Sequence, residues 1–247
     1  MDAPADRPPP PPGAHDLAAL RLSYTRATFD EADLAPDPFT QFHHWFDDAV
    51  GAGLTEPNAM ILATALPDVD GGATPSARTV LLKGVDHGFV LYTNHGSRKG
   101  REMLANPRAS LVFPWFEVDR QVVVTGRVTV LDRAAAAEYF TSRPHDSRLG
   151  AWASRQSSVV PDRESLDDSF AEMLRRWPPG SDVPMPDEWG GFRVEPTTVE
   201  FWQGRASRLH DRLRYRWVTQ VVPDAGERFT GSERAPAGHW VVERLAP

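Results

Sequence analysis

The chain of 247 residues contains no cysteine, so disulfides, thiolate metal sites and cysteine nucleophiles are excluded together. Lysine is almost missing as well: of 27 basic residues only Lys83 and Lys99 are lysine, and the rest are arginine. No apolar run is long enough to span a bilayer, and the first residues lack the basic-then-apolar order of a secretory signal. These absences predict a cytoplasmic protein with no membrane partner. No glycine-rich turn of the dinucleotide type follows a predicted strand, and there is no Gly-x-Ser-x-Gly elbow and no Walker-type loop. The 8 histidines show no spacing typical of zinc, so no metal is expected. A net charge of −7 argues against a general nucleic-acid binder.

What is present is unevenly placed. Residues 1–77 carry a charge of −9, residues 78–155 carry +5 and residues 156–247 carry −3. A basic middle in an acidic chain suits small anions, and pairing between basic and acidic stretches would give the same pattern. Both lysines fall in that middle, in Arg78-Thr-Val-Leu-Leu-Lys83 and Tyr92-Thr-Asn-His-Gly-Ser-Arg-Lys99. Where arginine supplies the generic cations, a retained lysine is read either as a place that wants a compact ammonium or as chance, the two weighing about equally.

Residues 1–17 hold the run Pro8 to Pro12 and are predicted to be a disordered tail, with residues 18–247 forming a single domain. Phe39, Phe42, Phe46 and Val50 recur at helical spacing and predict a helix over 38–50. Strands are predicted over 60–66, 79–83, 89–93, 109–115, 121–131, 199–202, 209–217 and 240–245. The strands over 79–83 and 89–93 flank a Gly84–Gly88 turn and predict a hairpin. Helices are predicted over 97–105, capped by Ser97, over 133–142, stopping before Pro144, and over 165–177. The Gly- and Pro-rich stretch 223–238 is predicted to be a surface loop. The sum is a mainly β protein with flanking helices, an antiparallel barrel or sheet.

Four clusters can carry chemistry. Arg78 and Lys83, five apart, face opposite sides of a regular strand, while Ser97-Arg98-Lys99 combines cations with free N–H groups at a helix start, which suits phosphate. Tyr139, Arg143 and Ser147, spaced by four, offer a phenol, a guanidinium and a hydroxyl for a second phosphate-sized acceptor, although a packed tyrosine and an exposed arginine is the commoner reading of that spacing alone. Gln156-Ser157-Ser158 reads as a polar turn. Arg208, His210 and Arg212 alternate after Phe201-Trp202-Gln203-Gly204 and would share one strand face. Two phosphate sites beside an aromatic-rich barrel imply two phosphorylated small molecules.

Taken together, these segments resemble the pyridoxamine 5′-phosphate oxidase family. Further carriers of the resemblance are Asn106-Pro-Arg-Ala-Ser-Leu-Val-Phe-Pro-Trp115, Arg120-Gln121, Ser142-Arg-Pro-His-Asp-Ser147 and Gly150-Ala-Trp-Ala-Ser-Arg-Gln-Ser157. Trp189-Gly-Gly-Phe-Arg193, Val199-Glu-Phe-Trp-Gln-Gly204 and Arg208-Leu-His-Asp-Arg212 complete them. The resemblance implies an FMN-binding split β-barrel, a homodimer with FMN at the subunit interface. It implies oxidation of pyridoxamine 5′-phosphate and pyridoxine 5′-phosphate by O2 to pyridoxal 5′-phosphate, with release of H2O2 and, from the amine, NH3.

By the same resemblance, Arg78, Thr79, Val80, Leu81, Leu82, Lys83, Tyr92, Thr93, Arg98, Lys99, Gln121, Gln156, Ser157, Trp202 and Arg212 fall at FMN-binding positions. Lys83, Tyr139, Arg143, Ser147, Arg208 and His210 fall at substrate positions, with Arg208 and His210 in catalytic roles. The family's N-terminal segment, usually Arg-Arg-Glu-Tyr, closes over substrate; here Arg21-Leu22-Ser23-Tyr24 carries that role only to Arg21 and Tyr24. Two other classes share such a pocket: a split-barrel flavin or deazaflavin reductase of another substrate, and a non-enzymatic pyridoxal phosphate carrier.

Overall fold

A computed structural model describes Tyr24, residues 27–219 and residues 238–247. The tail expected over 1–17, Arg21, and almost all of the loop expected over 223–238 lie outside the described residues. Among the described residues, nine strands form one antiparallel sheet: β1 (Ala59–Pro67), β2 (Ala73–Leu81), β3 (Gly84–Val85), β4 (Phe89–Asn94), β5 (Arg108–Trp115), β6 (Arg120–Val130), β7 (Trp189–Gln203), β8 (Asp211–Thr219) and β9 (Gly238–Arg244). Five helices of the described residues flank it: α1 (Pro38–Gly51), α2 (Arg98–Ala105), α3 (Arg133–Ser142), α4 (His145–Ala153) and α5 (Arg163–Arg176).

Strand alternation builds the core. Leu111 and Phe113 of β5, Val122 and Val124 of β6, and Val199 and Phe201 of β7 are fully buried, with polar or half-exposed residues between them. The helix α1 covers this face because Phe42, Trp45 and Ala49 recur at three- to four-residue spacing and are buried. Phe42 meets Phe89 and Phe113 edge-on, each at 5.0 Å between centroids. Asp37 caps the helix by accepting from the N–H groups of Phe39 and Thr40 at 2.9 and 3.0 Å, with Pro38 in the first turn.

The strand order is β2-β1-β5-β6-β7-β4-β3, with β8 beside β7 and β9 beside β8. The two ends of this order, β2 and β3, are consecutive in the chain and joined only by Leu82-Lys83. The ladder is not closed; the sheet curls until its edges meet at that covalent link, the split barrel that the family resemblance implies. The expected hairpin is therefore corrected. β2 pairs along its whole length with β1, and only β3, together with the Lys83 N–H donating to Val90 O at 2.8 Å, pairs with β4.

Other boundaries differ from expectation as well, among them the start of β2, at Ala73 and not Thr79. The helix α4 begins directly after Pro144, which acts as its N-cap and not merely as the stop of α3. The strand β7 runs 15 residues, far beyond the expected 199–202, through Gly190, Gly191 and Pro196. Pro196 is tolerated because it sits at a register shift opposite Gly126, where the ladder skips a bond. Gly126 is required there, since a Cβ on it would lie 2.1 Å from the Glu195 carbonyl oxygen. Finally, β8 starts at Asp211, not at Leu209. Among the described residues, no helix is long and apolar enough to cross a membrane.

Candidate active site

The inward face of β2 carries Arg78, opposite the buried Leu62 of β1. Its guanidinium donates to Thr64 Oγ1 at 2.6 Å, to Ser76 Oγ, and to Glu102 Oε2 at 2.9 Å. Arg98, in the first turn of α2, donates to the other oxygen of Glu102 at 2.9 Å. Burial would raise the Glu102 carboxyl, but hydrogen bonds from Ser76, Thr64, Arg98 and Arg78 outweigh it and hold the group at about 2. Lys99 follows Arg98 on α2, only 9% exposed, with no hydrogen bond or ion pair among the described residues. Burial, and then the neighbouring Arg78 charge, lower its pKa from the ordinary lysine value. Ser97 caps α2 by accepting from Gly100 N at 3.2 Å.

An ammonium on a largely buried side chain, without an acceptor among the described residues and beside an arginine at the start of a helix, fits a phosphomonoester such as that of FMN. On β2, Val80 and Leu82 turn into the core, so a ligand there meets only their backbone. Thr79, Leu81 and Lys83 alternate to the outer face, with Lys83 exposed at the seam between β2 and β3. The expected opposition of Arg78 and Lys83 is thus present.

A second cluster surrounds the N-terminal end of β7. Tyr92 of β4 stacks on Tyr139 of α3, with centroids 4.1 Å apart and planes 13° from parallel, and on Trp189, with planes 4° from parallel. Arg143, the C-cap of α3, lies over the Trp189 ring at 5.0 Å. Its Nη1 is buried without a hydrogen-bond partner among the described residues, and burial lowers its pKa from the ordinary arginine value. Thr93 Oγ1 donates to Gln156 Oε1 at 2.8 Å, which ties β4 to the segment after α4; the adjacent Ser157 has a left-handed φ of 72°. Ser147 is exposed in the first turn of α4.

A third cluster occupies the other end of β7. Gln121, Trp202 and Arg212 are direct neighbours across β6, β7 and β8 and so share the outer face. Arg212 is held by Glu200, at 2.7 and 3.1 Å. Tyr24 meets the rings of Trp202 and His210 edge-on at 5.7 and 5.6 Å, and Trp202 lies 4.6 Å from His210. His210 Nδ1 accepts from Arg205 N at 3.1 Å, so its ring proton resides on Nε2.

The expectation that Arg208, His210 and Arg212 share a strand face by alternation is corrected. Arg208 and His210 precede β8, and Arg208 ends a 3-10 turn in which Ser207 and Arg208 both have left-handed φ, 58° and 61°. Arg208 is exposed there.

The structure thus gathers the candidates into clusters without joining them all. Trp189 and Trp202 sit at opposite ends of β7, roughly 40 Å apart on an extended strand. Sequence reasoning gave no role to Glu102 or Trp189. The i,i+4 spacing of Arg98 and Glu102 was a readable signal for the first; Trp189 had only the unusual run Trp-Gly-Gly.

The family model described as pyridoxamine 5′-phosphate oxidase matches residues 46–176, and that of the pyridoxine 5′-phosphate oxidase C-terminal dimerisation region matches residues 189–247. The chain is 54% identical to the pyridoxine/pyridoxamine 5′-phosphate oxidase of Salinispora arenicola (strain CNS-205) over 249 residues, covering 100% of both chains. It is 55% identical to that of Rubrobacter xylanophilus over 207 residues, which cover 83% of this chain and 93% of the relative. Among solved structures it is similar to PhzG from Burkholderia lata 383 in complex with tetrahydrophenazine-1-carboxylic acid, with a TM-score of 0.74 and 30% identity over 90% of this chain and 98% of that one. A pyridoxamine 5′-phosphate oxidase-related, FMN binding protein from Nostoc punctiforme PCC 73102 shares the fold, with a TM-score of 0.61 at 14% identity over 87% of this chain and 100% of that one. On both family models and full-length relatives, the chain belongs to the pyridoxamine 5′-phosphate oxidase family.

Proposed function

We propose that the protein is a cytoplasmic, homodimeric, FMN-dependent oxidase that converts pyridoxamine 5′-phosphate and pyridoxine 5′-phosphate to pyridoxal 5′-phosphate. The observation that carries this reading is a pair of cations with no counter-charge among the described residues, in two separate clusters: Lys99, with its side chain largely buried beside Arg78, and Arg143, with Nη1 buried and unpartnered beside Tyr139. One phosphate for the cofactor and one for the substrate would satisfy both. When bound, FMN supplies the two-electron acceptor, O2 takes the electrons on to H2O2, and the amine substrate also consumes water and releases NH3.

In this reading Arg78, Arg98, Lys99 and the backbone of residues 79–82 hold the FMN phosphate end, and Tyr92, Thr93, Gln156 and Ser157 line the same ligand. Lys83, Tyr139, Arg143 and Ser147 hold the substrate phosphate, which fixes the reacting carbon in place. Gln121, Trp202, Arg212, Arg208 and His210 complete the site, with His210 presenting Nε2–H as a donor to substrate. Tyr24, packed on Trp202 and His210, and Arg21 close it over. Because the two ends of β7 are far apart, one ligand touching both sets requires the second set to come from a partner subunit, and the match to a dimerisation region supports that arrangement.

The test is peroxide and aldehyde release from the purified protein on addition of pyridoxamine 5′-phosphate, with and without added FMN. Peroxide and pyridoxal 5′-phosphate in FMN-dependent amounts are expected. No peroxide and no aldehyde would overturn the reading. Since the solved relative PhzG holds a carboxylic acid, turnover of a polycyclic carboxylic acid in place of the phosphorylated amine would reassign the substrate instead.

A further inference from the structure

Trp189-Gly190-Gly191 opens β7, and no role has been given to it so far. Trp189 is 6% exposed, and its ring packs against Tyr92, Phe140 and two members of the substrate-phosphate cluster, Tyr139 and Arg143. Its ring lies within 4° of parallel to Tyr92 and within 11° of parallel to Tyr139, while Arg143 sits 5.0 Å above its centroid. The two glycines are what allow this approach. A Cβ on Gly191 would lie 2.8 Å from Tyr92 Cε1, and one on Gly190 would lie 2.6 Å from the His95 ring.

Arg143 makes no ion pair with any carboxylate among the described residues, and its Nη1 is buried without a partner. A long side chain that ends in an unsatisfied donor needs something other than a hydrogen bond to hold it in one rotamer. The aromatic face does that, because a guanidinium stacks on a ring while its in-plane N–H groups stay free for an anion. Tyr139 is held the same way through Tyr92, with its ring packed and its phenol oxygen left to a ligand.

Resting on the oxidase reading above, we propose that Trp189 is a positioning residue for the substrate phosphate: its ring pre-sets Arg143, and through Tyr92 also Tyr139. It touches neither the phosphate nor the reacting carbon. Its contribution therefore goes to binding of the phosphorylated substrate and not to the chemical step.

The test compares Trp189→Phe, which keeps an aromatic face, with Trp189→Leu, which fills much of the volume without one. Each FMN-loaded variant is assayed with pyridoxamine 5′-phosphate and with unphosphorylated pyridoxamine. Binding of pyridoxal 5′-phosphate is measured at equilibrium, FMN affinity is measured on the apoprotein by flavin fluorescence, and the thermal midpoint is recorded alongside. Trp189→Leu is expected to raise KM for the phosphorylated amine roughly tenfold with kcat little changed, and to weaken pyridoxal 5′-phosphate binding in parallel. Turnover of pyridoxamine should stay near the parent value, any loss of FMN affinity through Tyr92 should be smaller than the loss of pyridoxal 5′-phosphate binding, and Trp189→Phe should restore most of the loss. Equal losses on both amines, a fall in kcat at constant KM, or variants that only unfold would make Trp189 a packing residue and overturn the proposal. If the parent protein releases no peroxide, the oxidase reading falls, and the pyridoxal 5′-phosphate binding comparison still decides the role of Trp189.

Discussion

Arg78 Nη2 donates to Glu102 Oε2 at 2.9 Å, and the other oxygen of that same carboxylate takes Arg98. Of Arg78, Arg98 and Lys99, Lys99 alone has no counter-charge among the described residues. One negative and three positive groups leave a surplus of two positive charges, the complement of a phosphate dianion.

Lys99→Arg keeps the charge but needs more room beside Arg78 in a nearly closed position. FMN dissociation constants measured on the apoprotein are expected to rise about tenfold. At the seam, Lys83→Arg is expected to raise KM for pyridoxamine 5′-phosphate several-fold. If both substitutions were silent, the scarcity of lysine would carry no functional meaning.

Acid should unlock the Glu102 network. The Glu102 carboxyl is depressed from 4.5 to about 2 in the folded protein, so its contribution to stability is complete above pH 4.5 and disappears as pH falls through about 2. Thermal midpoints recorded across that window should fall, and Glu102→Gln should remove part of the slope. At pH 7 the same substitution is expected to cost roughly 2 kcal/mol, because it leaves Arg78 and Arg98 short of their partner.

His210→Ala and Arg208→Ala test the far end of β7. Loss of the Nε2–H donor of His210 is expected to lower kcat/KM about a hundredfold, the range for a positioned acid–base or orienting group. Arg208→Ala is expected to act mainly on KM, and Arg208→Gly should relieve its left-handed backbone while still losing activity. Unchanged kcat and KM in both alanine variants would remove these residues from the site.

Gly126→Ala tests the bend in the sheet. A methyl group there meets backbone, not a side chain that can turn away. Destabilisation of about 3 kcal/mol or more is expected in urea unfolding, with FMN affinity falling only as the fold itself is lost.

The sequence exposed those parts of the fold in which local pattern and tertiary role agree. The Phe39, Phe42, Phe46 repeat announces α1, and Asp132 and Ser142 bracket a helix found over the same residues as expected. It failed where one residue type does the opposite of its usual work. Pro144 opens α4, and Pro196 lies inside a strand because a bulge excuses its missing N–H. Gly190 and Gly191, which no predicted strand included, are in a strand where Tyr92 and His95 occupy the space of their side chains. In the site, the lysine anomaly led directly to Lys99. Glu102 was hidden because a carboxylate among cations reads as surface pairing until its burial is known. Trp189 was hidden because the stack it organises joins three elements distant in sequence.

Leu82 and Lys83 join the strand that ends one margin of the sheet to the strand that begins the other. Residues 73–85 therefore answer to two registers at once, one fixed by β1 and one by β4. A single residue inserted or deleted at this link would rotate everything on one side of it by half a pleat, sending Val80 and Leu82 outward or Lys83 inward. Drift in length that surface turns absorb is thus closed to this position, and over evolutionary time it can change only by exchanging one side chain for another.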